Sequence, residues 1–184
     1  TVIRVRKGPQ LLAKRVYREK DTVEVAAFVA EVIGQFTPQA VFVDCDGLGA
    51  GTYDQLVHLG YEHIFEVHSG TRASDPVHYF NKRCEMWAAM RAWVETRGQL
   101  DADERDLIAE LTAVEYGYDI RQRLRIEEKK HLKERGYASP DEADALMLTF
   151  AQPVALLSDG PVDEVDESDF PGYGLGDRRL AWMG

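Results

Sequence analysis

Two cysteines in 184 residues leave no disulfide framework. Cys45 ends an apolar run, Cys84 falls in a predicted helix, and neither shows pairing or zinc spacing, so both read as reduced core thiols of a cytoplasmic protein. Long apolar runs are missing too. None approaches the roughly 18 residues needed to cross a bilayer, and the opening TVIRVRKGPQ has neither the h-region nor the cleavage site of a signal peptide. A soluble chain is expected. The five histidines, His58, His63, His68, His78 and His131, share no metal-binding spacing and read as surface or core residues.

Basic residues are in deficit, 22 Lys and Arg against 32 Asp and Glu, which on the sum argues against a polyanion partner. The distribution changes that reading. From Ser158 to Gly184, seven acids face only Arg178 and Arg179, so half of the net charge of -10 lies in that stretch. In the rest, basic residues cluster in RVRKG, KRVYREK, RQRLR and KKHLKER, which fit either a local positive surface beside an acidic site or solvated strand edges and a charged helix face. What is present in quantity is core material: 45% of residues are hydrophobic, enough for one globular domain.

The patterning predicts a mixed α/β chain. TVIRVRKG and LLAKRVYRE alternate around Gly8-Pro9 as an antiparallel hairpin. Asp21 and Glu24 form a capping box ahead of a helix with an apolar face at Val25, Phe28, Val29 and Val32. AVFVD is a short apolar strand of the kind buried on both faces of a parallel sheet, followed by a short helix closed by Gly60 and the strand HIFEVH. NKRCEMWAAMRAWVETRG and ERDLIAELTAV are helices, and EYGYDI with RLRIEE forms a second hairpin around Arg121-Gln122. Ser139-Pro140-Asp141-Glu142 opens a last helix by a capping box with proline at its first position. After Pro153 periodicity ends, so residues 1–157 read as one domain and 158–184 as an acidic tail.

Two places carry candidate chemistry. Asp44, at the C-terminal end of an inner strand, stands where open α/β sheets place their ligands; its alternative is a turn residue bonding the amides of Gly47 to Gly49. Asp141 and Asp144 are one helical turn apart and so share a face. Asp141 is explained equally by the helix dipole, but Asp144 sits in a helix apolar on nearly every side, and a buried carboxylate must be paired, protonated or metal-bound. Asp46 reads as a turn residue. Gly47, Gly49 and Gly51, with Glu66 ending the next strand, also permit an S-adenosylmethionine or dinucleotide site, although G-x-G-x-G is not the dinucleotide fingerprint and that reading leaves the final acids unused.

Taken in order, VFVDCDGLGAGTYDQL, FNKRCEMWAAMRAWVETRGQL, LIAELTAVEYGYD and RLRIEEKKHLKERGYASPDEADALMLTFA resemble the C-terminal nuclease domain of the large terminase subunit of tailed bacteriophages, over most of Val2 to Ala151. The resemblance implies an RNase H-like fold, with antiparallel first strands, then parallel ones, and helices on both faces. It implies cleavage of double-stranded viral DNA with little sequence preference during genome packaging, using carboxylates and two Mg2+ or Mn2+ ions. Asp44, Asp141 and Asp144 match the family's metal-binding acids, and Lys129, Lys130, Lys133 and Arg135 are placed to hold backbone phosphates. Arg83, inside NKRCEMW, fits pairing with a local acid ahead of contact with DNA. The implied partners are DNA, an upstream packaging ATPase domain, the portal and the small terminase subunit, and the implied place is the host cytoplasm at the procapsid. The family's further aspartate, on a strand ahead of TVIRVRKG, has no counterpart from Thr1 onward, which puts metal binding in question. A catalytically silent docking module, anchored through Phe170, Tyr173 and Trp182 of the tail, stands as a third alternative.

Overall fold

A computed structural model describes residues 1–154, and the acidic tail with its aromatic anchors lies outside them. The chain opens with β1 (Val2–Lys7) and β2 (Gln10–Val16), antiparallel across the Gly8-Pro9 turn, where Gly8 takes a φ of 53°. α1 (Thr22–Phe36) starts at the expected capping box: the Asp21 side chain accepts from the Glu24 amide at 2.8 Å and the Glu24 side chain from the Asp21 amide at 3.2 Å. It stops at Thr37, left-handed with a φ of 42°, just before Pro38.

β3 (Val41–Asp44), α2 (Gly49–His58) and β4 (Ile64–Val67) form a strand, helix, strand unit with β3 and β4 parallel. Next come α3 (Lys82–Thr96), capped by Asn81, and α4 (Arg105–Ala113). β5 (Tyr116–Tyr118) and β6 (Leu124–Ile126) make the second hairpin, followed by α5 (Lys129–Glu134) and α6 (Asp141–Leu148). α5 was not anticipated; six residues without a capping side chain leave almost no periodic signal.

Strand alternation distributes the core. Val41 and Val43 of β3 and Ile64 of β4 pack with Val25, Val29 and Leu56 of α1 and α2, whereas Phe42 packs on the opposite side with the larger cluster of α3, α4 and α6, which holds Met86, Met90, Trp93, Leu107 and Leu146. Truncating any of these fully buried leucines to alanine would cost about 2–5 kcal/mol. Asp44 has the parity of Phe42, so the same alternation turns it toward α6.

The expected single mixed sheet is divided. β1 pairs only with β2 and β3 only with β4, and no ladder joins the two pairs among the described residues. α6 packs against both β1 and β3, so these are the inner strands over one helix. The division also leaves β3 half-buried rather than enclosed on both faces.

The start of α6 corrects a second expectation. Its N-cap is Pro140, and no Ser139 capping box forms. Glu142, the acid that would have closed the box, faces β1 and meets Arg4 at 2.6 Å and Lys14 at 3.0 Å. The orphan amide of Ala143 is bound from outside, by Glu110 of α4 at 2.8 Å. The Arg4 side chain, with no exposed surface, also grips Glu104 through two bonds of 2.6 Å, so β1, α4 and α6 are tied through one guanidinium.

Candidate active site

Gly49 sets the geometry of the first acid. A Cβ at that position would stand 1.9 Å from the Asp44 carbonyl oxygen, so α2 can start against the end of β3 only if residue 49 has no side chain. Gly51 is similarly close to Thr22, at 3.1 Å, while Gly47 has open space around it. Two of the three glycines are therefore explained by helix packing. Asp44 projects from this junction, and one carboxylate oxygen accepts the Asp46 amide at 3.2 Å. Asp46, which lines the same cleft as Asp44, accepts the Gly70 amide at 3.2 Å and lies 3.1 Å from His68 Nδ1, tying the loop after β4 to the loop after β3.

Asp144 comes from the other side, on the first turn of α6. It lines the same open cleft of about 340 Å³ as Asp44, so acids a hundred positions apart in the chain meet across one cavity. Asp144 is 8% exposed, and neither carboxylate oxygen makes a hydrogen bond of acceptable geometry. Lys129 Nζ stands 2.6 Å from Oδ2, and Arg83 Nη2 stands 3.6 Å from Oδ1. The charge is balanced while its lone pairs remain poorly used, a combination that suits a cation more than a structural acid. Arg83 stands near this distant acid rather than a local one, and it also anchors the cleft wall through a 2.8 Å bond from Nη1 to the Glu127 carbonyl.

Asp141 does not join them. It is exposed, and it lines a second cavity of about 580 Å³ together with Glu110, Ser139 and Tyr17. Positions three apart on a helix differ by about 60° around the axis, enough at the end of a helix to direct the two acids into different cavities. Glu110 in that second cavity has its carboxyl pushed up by burial, reinforced by the charges of Glu142 and Asp141. Among the described residues no three His, Cys, Asp or Glu side chains converge as a ready metal site. Two carboxylates with room for water nevertheless fit a hard divalent ion, which Mg2+ sites commonly show.

The four basic residues separate as well. Lys129 faces the cleft; Lys130 is highly exposed and only 3.9 Å from Glu134; Lys133 lies in the last turn of α5. Arg135 is engaged structurally, bonding Glu127 at 3.0 Å, Glu115 and the Ala113 carbonyl. Cleft residues that sequence reasoning passed over include Phe80, Asn81, Arg125 and Glu128. Arg125 belongs to the RQRLR cluster, so the signal existed but was read as hairpin edge. Neither cysteine offers a nucleophile: burial pushes the Cys45 thiol up, and Cys84 Sγ accepts the Ile126 amide inside the core.

No protein-family model matches this chain, and no curated protein matches it by sequence. Solved structures do. The chain is similar to the nuclease domain of the large terminase subunit gp2 of bacterial virus Sf6, with a TM-score of 0.68 and 19% identity over 83% of this chain and 81% of that one. It is also similar to a lysine-to-alanine variant of that domain with manganese (TM-score 0.65, 20% identity, 82% of each chain) and to one with calcium (TM-score 0.65, 20% identity, 82% and 81%). Hairpin, strand-helix-strand unit, second hairpin and closing helix thus share the fold of that nuclease domain.

Proposed function

We propose that this chain is a divalent-metal-dependent endonuclease domain that cuts double-stranded viral DNA with little sequence preference during genome packaging. The observation that carries the reading is the meeting of Asp44 and Asp144 in one cleft, with both oxygens of a buried Asp144 lacking good hydrogen bonds. The manganese and calcium bound by the similar terminase domain support the same class of ligand. Asp44 and Asp144 would hold the ion, and bound Mg2+ or Mn2+ supplies an activated water and stabilises the leaving 3'-oxygen of a phosphodiester. Asp46 and the Gly49 contact fix the rotation of Asp44; the Arg4 and Glu110 contacts fix α6 and hence Asp144. Lys129, released from Asp144 when the carboxylate holds an ion, is placed to meet a backbone phosphate. Asp141 and a second ion belong to the wider proposal, as do the packaging ATPase, portal and small-subunit partners and action at the procapsid in the host cytoplasm.

Supercoiled plasmid incubated with the folded protein and Mn2+ should be nicked and linearised, with loss of cutting in Asp44→Asn and Asp144→Asn. Intact plasmid under every divalent metal, with folding confirmed by circular dichroism, would overturn the proposal. The nucleotide-site alternative loses support, since Gly49 is required by packing against the Asp44 carbonyl and Gly51 lies close to the Thr22 side chain.

A further inference from the structure

Arg125 of β6 and Arg123, just ahead of that strand, both lie over the same ring. The guanidinium carbons of Arg123 and Arg125 lie 5.0 Å and 4.7 Å from the centroid of Phe80. They differ in what else they hold. Arg123 is committed to Asp119, 2.6 Å from Nη2 and 2.8 Å from Nε, in a pair whose side chains are 20% and 12% exposed. Arg125 has one ionic partner, Glu128 at 2.7 Å, and those side chains are 48% and 55% exposed. An exposed pair of this kind contributes little and is readily exchanged for another anion. Phe80, Arg125 and Glu128 all line the cleft of Asp44 and Asp144.

We propose that Arg125, lying over the Phe80 ring, grips a DNA backbone phosphate next to the one that is cut, taking it in exchange for Glu128. The inference rests on the nuclease reading of the same cleft. A polyanion can approach two carboxylates only if cations nearby neutralise its other phosphates; Lys129, once released from Asp144, supplies one such contact, Arg83 is held by the Glu127 carbonyl and Asp144, and Arg125, paired only at the exposed surface, is the further cation lining the cleft. A planar guanidinium matches two phosphate oxygens at once, and stacking on an aromatic face restrains the plane while leaving the N–H edge free. Phe80 is thus a positioning residue acting through Arg125. Glu128 is a competing anion, and since its side chain makes no capping bond to α5, it can be changed without loosening that helix.

The test measures binding of a short labelled duplex by fluorescence anisotropy in Ca2+ over a salt series, with plasmid cutting in Mn2+ assayed alongside and folding followed by circular dichroism. For the wild type, log K should fall linearly with log salt, and Arg125→Ala should weaken binding about tenfold and reduce the slope by about 0.9, the signature of one lost phosphate contact. Arg125→Lys and Phe80→Leu should keep the slope while binding several-fold more weakly, because charge remains and orientation is lost. Glu128→Gln should tighten binding, and that gain should vanish when combined with Arg125→Ala. A wild type that binds and cuts while Arg125→Ala leaves affinity and slope unchanged overturns this inference and spares the nuclease reading. A wild type that neither binds nor cuts overturns both. If Arg125→Ala does not fold, the Arg125→Lys and Glu128→Gln results decide: unchanged affinity in both refutes the phosphate contact.

Discussion

Replacing Lys129 by alanine separates a metal ligand from a structural acid at position 144. The Lys129 ammonium stands 2.6 Å from Asp144 Oδ2, with the lysine 46% exposed and the carboxylate 12% exposed. The pair therefore lies between a surface ion pair, at about 0.2–1 kcal/mol, and a buried one, whose breaking costs about 3–5 kcal/mol. A value of about 2 kcal/mol is reasonable for such partial exposure. If a divalent ion must displace this ammonium to reach Asp144, its removal should tighten Mn2+ binding by the same amount, roughly 30-fold.

The metal-free protein should move the other way. Lys129→Ala leaves Asp144 with Arg83 alone, 3.6 Å away, so the apo variant should melt about 4–8 °C lower for a loss of about 2 kcal/mol. Mn2+ should then restore more stability to the variant than it adds to the wild type, since stabilisation follows the ratio of free metal to Kd. Titration calorimetry with Mn2+ and thermal unfolding with and without it measure both quantities; cutting is not the readout, because Lys129 is also placed near substrate. Equal or weaker Mn2+ affinity in Lys129→Ala, together with a lower apo melting temperature, would refute the argument and leave Lys129 and Asp144 as a structural pair.

Arg4→Ala should destabilise the fold by about 3–5 kcal/mol in urea unfolding, because Glu104 and Glu142 would be left with Lys14 alone. Hydrogen bonding to Arg4 holds the Glu104 carboxyl below its usual range, so that part of the stability is present above the ordinary carboxylate pKa and is lost as pH falls through the lowered value; the gap between wild type and variant should narrow in acid. Glu110 has the opposite sign: its carboxyl is raised by burial, so its contribution is present below the ordinary carboxylate pKa and is lost as pH rises through the raised value. Glu110→Gln, which can still accept from the Ala143 amide, should raise the melting temperature at neutral pH and leave it unchanged near about pH 4. Gly49→Ala should cost about 1–3 kcal/mol through displacement of α2 from the end of β3 and should weaken Mn2+ binding. Gly47→Ala should stay within about 0.5 kcal/mol of wild type, and a larger effect at Gly47 than at Gly49 would revive the phosphate-loop reading.

Elements whose signals are local were legible from the sequence. The Asp21 and Glu24 box, the turns at Gly8 and Arg121-Gln122 and the stop at Gly60 are each decided within a few residues, and the helices and hairpins stand where these place them. What local pattern cannot contain is a partner from elsewhere in the chain. Ser139 and Glu142 spell a capping box, yet Glu142 gains more from the buried Arg4 than from the Ser139 amide, and a Glu110 side chain 33 positions away from Ala143 binds that residue's amide. The divided sheet is of the same kind, since strand periodicity says which face is apolar and nothing about which edge is paired.

The candidate site divides along that line. Asp44 was legible as a candidate because it ends a short apolar strand that runs into a glycine-rich turn. Asp144 was legible because a carboxylate in an all-apolar helix is anomalous without reference to anything else. Asp141 was assigned by spacing, and spacing fixes an angle about the helix axis but not what packs around it. Here α4 and the Glu110 side chain stand beside the first turn, so the exposed Asp141 faces a different cavity from its neighbour one turn on. Arg125 shows the reverse failure. Nothing in RQRLR distinguishes the arginine held by Asp119 from the one open to the cleft, because the difference is the depth at which each guanidinium meets its carboxylate. A basic cluster in sequence counts charges; the folded chain determines which of them remain available to a substrate, and in this cleft that division falls between neighbours two residues apart.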